Sequence, residues 1–412
     1  MPVHKNSHCR YCNGDRLTKF LSLGQHPPSN SFLRADQLSL EERYPLDVYV
    51  CESCCLVQLL DVVEAEQIFG DYLYLASASK ALKAHYAGVV GDISSRYGLK
   101  AGDVVVDIGC NDGILLSGYP VEGLVRVGVE PSKVADYAEA AGFNVVRRFF
   151  GPDAAGEIAQ RYGKAKVVTA TNVFAHVDNI GGFLDGVPLL LDDDGIYVIE
   201  ASYLVDLIDQ TLFDTIYHEH LCYLSLTPMV PFFDRHGMQI FAAEKEPVGA
   251  SGPAIRVWAQ KKGGPREVQP SVAQMLADEK AWGVGDMAHY QRYSAQVEGI
   301  RRDLRALIDQ VRNSGARVGA YGAPAKGNTL LNYAGLSSAE IECVAETNPI
   351  KQGLLTPGSH IPVVSEEEFL ERMPEYALLL SWNYLDFFLR NSDYIKRGGR
   401  FIVPIPTPRI VP

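Results

Sequence analysis

The run Tyr217-His218-Glu219-His220 gathers two imidazoles, a phenol and a carboxylate at consecutive positions, with Tyr223 close behind. Asn172 and His176, in TNVFAHVDN, follow a predicted strand, and Tyr72 and Tyr74 lie upstream in DYLYLASAS with Ser77 and Ser79. Imidazoles and phenols move protons near neutral pH, so this set suits general acid–base chemistry. One histidine alone would read as a satisfied core residue. Several at the carboxyl ends of predicted strands, where parallel sheets bind ligands, read as catalytic. A metal is the poorer reading of H-E-H, because adjacent side chains point apart and the zincin spacing H-E-x-x-H is absent.

Two glycine turns offer a different chemistry. VVVDIGCNDGILL is a buried strand ending near Asp107, followed by Gly109 and Gly113 at a turn and then a helix. Glycines there let a ligand approach the backbone, but the spacing is not the G-x-G-x-x-G that packs a pyrophosphate, so a dinucleotide is not expected. The next strand, VRVGVE, ends in Glu130, whose carboxylate can accept both hydroxyls of a ribose. A strand, D-x-G and an acid ending the next strand form the pattern of S-adenosylmethionine-dependent methyltransferases. Asn111, Ser132 and Asn172 are the further cofactor contacts expected, with Phe149 and Phe150 placed to flank an adenine. The second turn, GAYGAPAKGNTLLNY, offers Lys326, Asn328 and Thr329 with Gly322 and Gly327 to an anion at a helix N-terminus; the alternative is a turn that packs the two α/β units together. It lacks the G-K-[ST] ending of a Walker A loop. Glu346 ends the strand after it, placed to touch a ribose.

Cys9, Cys12, Cys51 and Cys54 form two C-x2-C pairs. Two such knuckles complete a tetrahedral tetrathiolate site, and four protein ligands leave no open position, so structural zinc is expected. Disulfides are disfavoured because no export signal precedes the pairs. His4 and His8 are near enough to serve as substitute ligands, while Cys55, Cys110, Cys222 and Cys343 read as buried small hydrophobes.

The elements that must position these groups follow from periodicity. YPLDVYVCESCCLVQLL alternates into the second knuckle, predicting a hairpin in a small β-rich module over residues 1–63. Helical spacing over 64–97 precedes strands at 104–109, 125–130, 166–174 and 195–202, a βα alternation that predicts a parallel sheet. Segment 265–313 is charged and helical, a connector. Strands then recur at 316–323, 341–346, 376–382 and 400–405. The fold class is therefore α/β: a small zinc-binding β-rich module, a Rossmann-like methyltransferase domain over 64–264, and a second Rossmann-like domain over 265–412. No solenoid repeat or low-complexity segment interrupts this order.

Composition narrows the partners. At 412 residues, with 47% hydrophobic and 21% charged side chains, the chain can bury several cores. A net charge of −12 argues against nucleic acid or an anionic membrane as the main partner. No apolar run reaches the roughly 18 residues of a spanning helix, and the expected location is cytoplasmic.

YPL…C-x2-C-x-L-V-Q-L, Y-x-Y…S, D-I-G-C-N-D-G, N-V-x-x-H, Y-x-E-H, G-A-x-x-K-G-N-T-L-L-N and S-W-N-Y occur in this order from Cys9 to about Tyr384. Together they resemble the three-domain sugar C-methyltransferases, which methylate C3 of nucleotide-linked 4-keto-deoxysugars. The resemblance implies S-adenosylmethionine as cofactor, zinc in the N-terminal module and a nucleotide-linked keto-deoxysugar as substrate. It implies His220 as the base, with His176 the alternative, and Glu219 and Tyr217 orienting it or bonding sugar hydroxyls. It implies His176 and one of Tyr72 or Tyr74 at the enolate oxygen, and Lys326 with its neighbours at the substrate pyrophosphate. Segment 249–256 reads GASGPAIR where the family more usually has G-G-S-L-R; Pro253 removes a backbone donor there, while Arg256 is retained as a substrate contact. Rival readings are S-adenosylmethionine-dependent methylation of another carbonyl-activated or hydroxyl compound, a zinc-bearing scaffold without catalysis and, more distantly, an NAD-dependent dehydrogenase.

Overall fold

The computed structural model describes residues 3–69, 75–249 and 252–411, so Tyr72 and Tyr74 lie outside the described residues, as do positions 250 and 251 of the GASGPAIR segment. The N-terminal hairpin forms as its alternation dictates: Tyr44–Cys51 buries every second side chain, with Leu46 and Val48 essentially inaccessible. It sits in a four-stranded antiparallel sheet, ordered Cys222–Tyr223, Val57–Leu59, Tyr44–Cys51 and Leu17–His26. A strand from the middle of the chain, just after His220, thereby closes the zinc module's sheet.

The central sheet has seven strands, ordered Met238–Gly249, Gly252–Lys261, Leu191–Ser202, Ala165–Thr171, Val104–Ile108, Val125–Val129 and Asn144–Val146. From Leu191–Ser202 onward the strands are parallel, and Val104–Ile108 is buried throughout because helices cover both faces. The antiparallel Met238–Lys261 hairpin was not anticipated. Its alternation is broken by register shifts at Ile240/Ala242 and Glu246/Gly249, which scramble the period-2 signal.

The connector folds as two helices, Pro270–Trp282 and Met287–Asn313, separated by Gly283 at φ 92°. The longer buries Tyr290, Tyr293, Val297, Ile300, Leu304, Ile308 and Val311, the i, i+3, i+4, i+7 spacing of one helical face. That face joins the zinc-module sheet and the third sheet in one core. The third sheet runs Val363–Val364, Val344–Ala345, Val318–Tyr321, Tyr376–Leu379, Arg400–Val403 and Arg409–Val411, parallel except for the last strand. Among the described residues no helix is long and apolar enough to cross a membrane.

Candidate active site

The cysteine sulfurs of Cys9, Cys12, Cys51 and Cys54 lie within 4.8 Å of one another, with Cys9–Cys54 and Cys12–Cys51 each at 3.5 Å. Tetrahedral zinc with Zn–S bonds of about 2.3 Å separates its sulfurs by about 3.8 Å, so the donor set fits. The knuckles share one backbone pattern. Cys9 N–H donates to Gly14 O and Asn13 N–H to Cys9 O; Cys51 N–H donates to Leu56 O and Cys55 N–H to Cys51 O. Asn13 and Cys55 take positive φ, 56° and 69°, to close the turns. Neither substitute ligand joins the cysteines: His4 faces Asp178, and His8 bonds Ser7.

Strand order in the central sheet reverses between Val104–Ile108 and Ala165–Thr171, the switch point where open α/β sheets bind ligands. A cavity of about 670 Å³ opens there, lined by Asp107, Gly109, Asn111, Glu130, Ser132, Phe149, Phe150 and Asn172 among others. Asp107 is buried and accepts from Thr169 Oγ1 at 2.6 Å; burial pushes its carboxyl up to about 7. Glu130 accepts the N–H groups of Asn111 (3.1 Å) and Ser132 (3.0 Å), which aims its carboxylate across the turn. Gly109, Asn111 and Gly113 all have positive φ, so the chain turns sharply after the strand and brings the backbone of Gly109 and Asn111 to the cavity wall. Gly113 is not itself at the cavity wall; an added Cβ there would strike Phe143 at 2.6 Å.

The same cavity is lined on its other side by His176, Tyr217, Glu219 and His220. The imidazole rings of His176 and His220 stack with centroids 5.0 Å apart, and Tyr217 lies 4.1 Å from the His220 ring. His220 Nδ1 is 2.7 Å from the carbonyl of Thr215. A carbonyl only accepts, so Nδ1 carries the proton and Nε2 is the basic nitrogen. Desolvation holds His220 down to about 4 and lowers His176 further, with His220 adding to that, so both rings are neutral at physiological pH. Burial lifts Glu219 to about 7 against the pull of Asn30 and Lys351; Asn30 Nδ2 donates to its Oε1 at 2.7 Å. The H-E-H triplet splays as its spacing requires. His218 points away to Pro45 O and the Tyr44 ring, and Tyr223 is buried in the core shared by the zinc-module sheet and the third sheet.

The sequence pattern described as the C-methyltransferase C-terminal domain matches residues 249–406, a methyltransferase domain matches 82–242, and a zinc-binding domain matches 9–69. The C-methyltransferase NovU of Streptomyces niveus is 37% identical over 406 residues, covering 98% of this chain and 96% of that one. The chain belongs to the C-methyltransferase family. It is an S-adenosylmethionine-dependent enzyme with an N-terminal zinc-binding module. Solved structures similar to its central part include an S-adenosylmethionine-dependent methyltransferase from Clostridium acetobutylicum ATCC 824 (12% identity, TM-score 0.35, 44% of this chain and 92% of that one). Another is the magnesium protoporphyrin IX methyltransferase of Synechocystis PCC 6803 with bound SAH (14% identity, TM-score 0.33, 48% and 91%).

The third sheet of this methyltransferase reaches the cavity through Pro324, Lys326, Lys351, Ser381, Asn383 and Tyr384. Lys326 Nζ donates to Asn383 Oδ1 at 2.6 Å and sits 4.6 Å from the centre of the Trp382 ring. Lys351 donates to Ala323 O at 2.7 Å. Desolvation lowers both ammonium groups, while Asp214 opposes it at Lys326, and Glu346 and Glu219 oppose it at Lys351. Asn328 and Thr329 are elsewhere: Asn328 Nδ2 donates to Ser29 O at 2.7 Å and Thr329 Oγ1 to Ile216 O at 3.1 Å, bonds that fasten this helix to the other two units. Arg256 does not line the cavity; its guanidinium is paired with Glu200 at 2.6 Å and Glu246 at 3.0 Å. Glu346 accepts from the N–H groups of Ala323, in the glycine turn, and Asn348, in its own turn. Asn30, Lys351 and Tyr86 also line the cavity, and no sequence motif points to them. The S-W-N-Y motif was the one available signal for Ser381, Asn383 and Tyr384.

Proposed function

We propose that this enzyme methylates C3 of a nucleotide-linked 4-keto-deoxysugar by way of an enolate, in the cytoplasm, where reducing conditions keep its zinc thiolates intact. The supporting observation is the shared cavity that holds the Asp107–Glu130 turn, two neutral imidazoles and two ammonium groups. Methylation at carbon needs a nucleophilic carbon, and a ketone supplies one when its α-proton is removed. Lys326 and Lys351 favour a substrate bearing anionic groups, as a diphosphate does. The division of labour follows residues 1–63, 64–264 and 265–412, with the last segment helping to hold the nucleotide sugar.

S-adenosylmethionine, when bound, supplies an electrophilic sulfonium methyl. Glu130 holds its ribose hydroxyls, and Asn111, Ser132 and Asn172 complete that side of the site. His220 Nε2 accepts the C3 proton, and the C–H electron pair delocalises onto the C4 oxygen. His176, with Tyr72 or Tyr74, stabilises that oxygen, while Tyr217 and Glu219 hold sugar hydroxyls. Negative charge on the substrate favours the imidazolium formed at His220, offsetting the desolvation that keeps it neutral beforehand. Proton transfer of this kind accounts for roughly 10²–10⁴-fold of the rate. The test is incubation with S-adenosylmethionine and a panel of nucleotide-linked 4-keto sugars, followed by mass spectrometry. The expected result is the gain of one methylene, and solvent deuterium entering C3 when the cofactor is omitted. His220→Asn should lose both; full methyl transfer by that variant at saturating substrate would sink the assignment.

A further inference from the structure

Arg10 lies between Cys9 and Cys12, inside the first zinc knuckle, and its side chain is only 2% exposed. A buried guanidinium needs a countercharge and acceptors. Its NH1 donates to Gln58 Oε1 at 3.2 Å and to the carbonyl of Leu59. Its Nε donates to Asp178 Oδ1 at 3.0 Å. Asp178 lines the cavity two positions beyond His176, and the same carboxylate receives Asn6 Nδ2 at 2.7 Å and lies 3.1 Å from His4 Nε2. The N-terminal segment thus converges on one side chain of the loop that carries His176.

The loop is anchored at its two ends: Asn172 N–H donates to Glu200 O at 2.7 Å, Phe174 is buried against Phe183 and Phe233, and Asn179 Oδ1 accepts from Gly182 N–H at 3.1 Å to cap the next helix. Between those anchors, the Asp178 carboxylate ties it to the zinc module. His176 in turn stacks on His220. We infer that the zinc knuckle is a positioning element for the acid–base cluster: Arg10 fixes the His176 loop through Asp178 and thereby sets the stacking of His176 on His220. The metal would lock the Cys9–Cys12 backbone, and a tetrathiolate of net negative charge would favour the guanidinium held between its ligands. Arg10 and Asp178 act here as positioning residues, through the loop rather than on the reacting atoms. The inference rests on the acid–base reading of the cluster, not on the identity of the sugar.

The experiment uses zinc-loaded full-length protein with ¹³C-labelled histidine, comparing Arg10→Met, Arg10→Lys and Asp178→Asn. Zinc content is measured on each. With about one zinc per chain retained, Arg10→Met and Asp178→Asn are expected to move the ring signals of both His176 and His220. They should also lower kcat roughly ten- to hundredfold while leaving the KM for S-adenosylmethionine within about twofold. Arg10→Lys keeps the charge and one donor and should recover part of both effects. Should Arg10→Met fail to hold zinc or to fold, Asp178→Asn decides, since Asp178 is one-third exposed and outside the metal site. Ring signals at their parent positions in zinc-loaded Asp178→Asn would overturn the inference whatever happens to turnover. Those signals are read without substrate, so the result does not depend on which sugar the enzyme takes.

Discussion

Gly109 and Gly322 each follow the first strand of a parallel sheet, at φ 69° and 82°. Each donates its N–H to the residue just before a strand-ending glutamate: Gly109 to Val129 O at 2.7 Å, Gly322 to Ala345 O at 2.8 Å. The glutamates then repeat one another. Glu130 accepts from Asn111 and Ser132, and Glu346 from Ala323 and Asn348. Beyond that shared backbone device the turns diverge. After Gly109 come Asn111 and Gly113, and the helix that follows, Ile114–Ser117, is a single turn, so the cavity opens against the strand ends. After Gly322 comes Pro324 and the Ala325–Tyr333 helix, whose Asn328 and Thr329 are committed to Ser29 and Ile216. Only Lys326 of that trio faces the cavity. A glycine turn with a glutamate clamp is thus a way to finish a strand; whether it binds depends on what the following side chains already hold.

Removing each clamp gives the largest expected contrast. On the proposed role of Glu130 at the ribose hydroxyls, Glu130→Ala should weaken S-adenosylmethionine binding by roughly 10²–10⁴-fold in calorimetry, the loss of two charge-assisted hydrogen bonds. Glu346→Ala should lower the melting temperature and leave that affinity unchanged. Equal loss of cofactor affinity in both would break the distinction between the turns. Next in size, Lys326→Ala should raise the KM for the sugar nucleotide by about 10–100-fold with cofactor affinity intact. An unchanged KM would remove the second turn from the substrate site altogether.

A smaller effect separates the turns by pH. Burial raises Asp107 to about 7, so its carboxylate form grows as pH rises through that value, and a cationic cofactor binds that form better. Affinity should therefore increase roughly three- to tenfold from about pH 6 to about pH 8, and Asp107→Asn should flatten the curve. A decrease with rising pH would contradict the sign. Smallest of all, Thr329→Val should cost about 1–2 kcal/mol in denaturant unfolding while kcat and both KM values stay put, since the hydroxyl's buried bonds to Ile216 O and Ser29 Oγ are all that is lost. A raised sugar-nucleotide KM would return Thr329 to the binding machinery.

Local chemistry explains what could be read from the chain alone. Two C-x2-C pairs specify a tetrathiolate because each knuckle is a short-range turn, and the strand periods of both parallel sheets survive because buried strands are continuous apolar runs. The D-x-G turn and Glu130 were legible for the same reason: strand, turn and acid are close in sequence. The Met238–Lys261 hairpin was not, since its bulges shift the period. Arg256 shows why a residue type is insufficient. It looks like an anion ligand until the fold places Glu200 and Glu246 beside it and satisfies its charge. Asn30 and Lys351 reach Glu219 from opposite ends of the chain, a convergence that no spacing encodes. So the residue types and their local spacing determined which chemistries were available. Tertiary structure decided which groups face the cavity and which are turned into the packing between units, because a side chain's surroundings are set by neighbours hundreds of positions away.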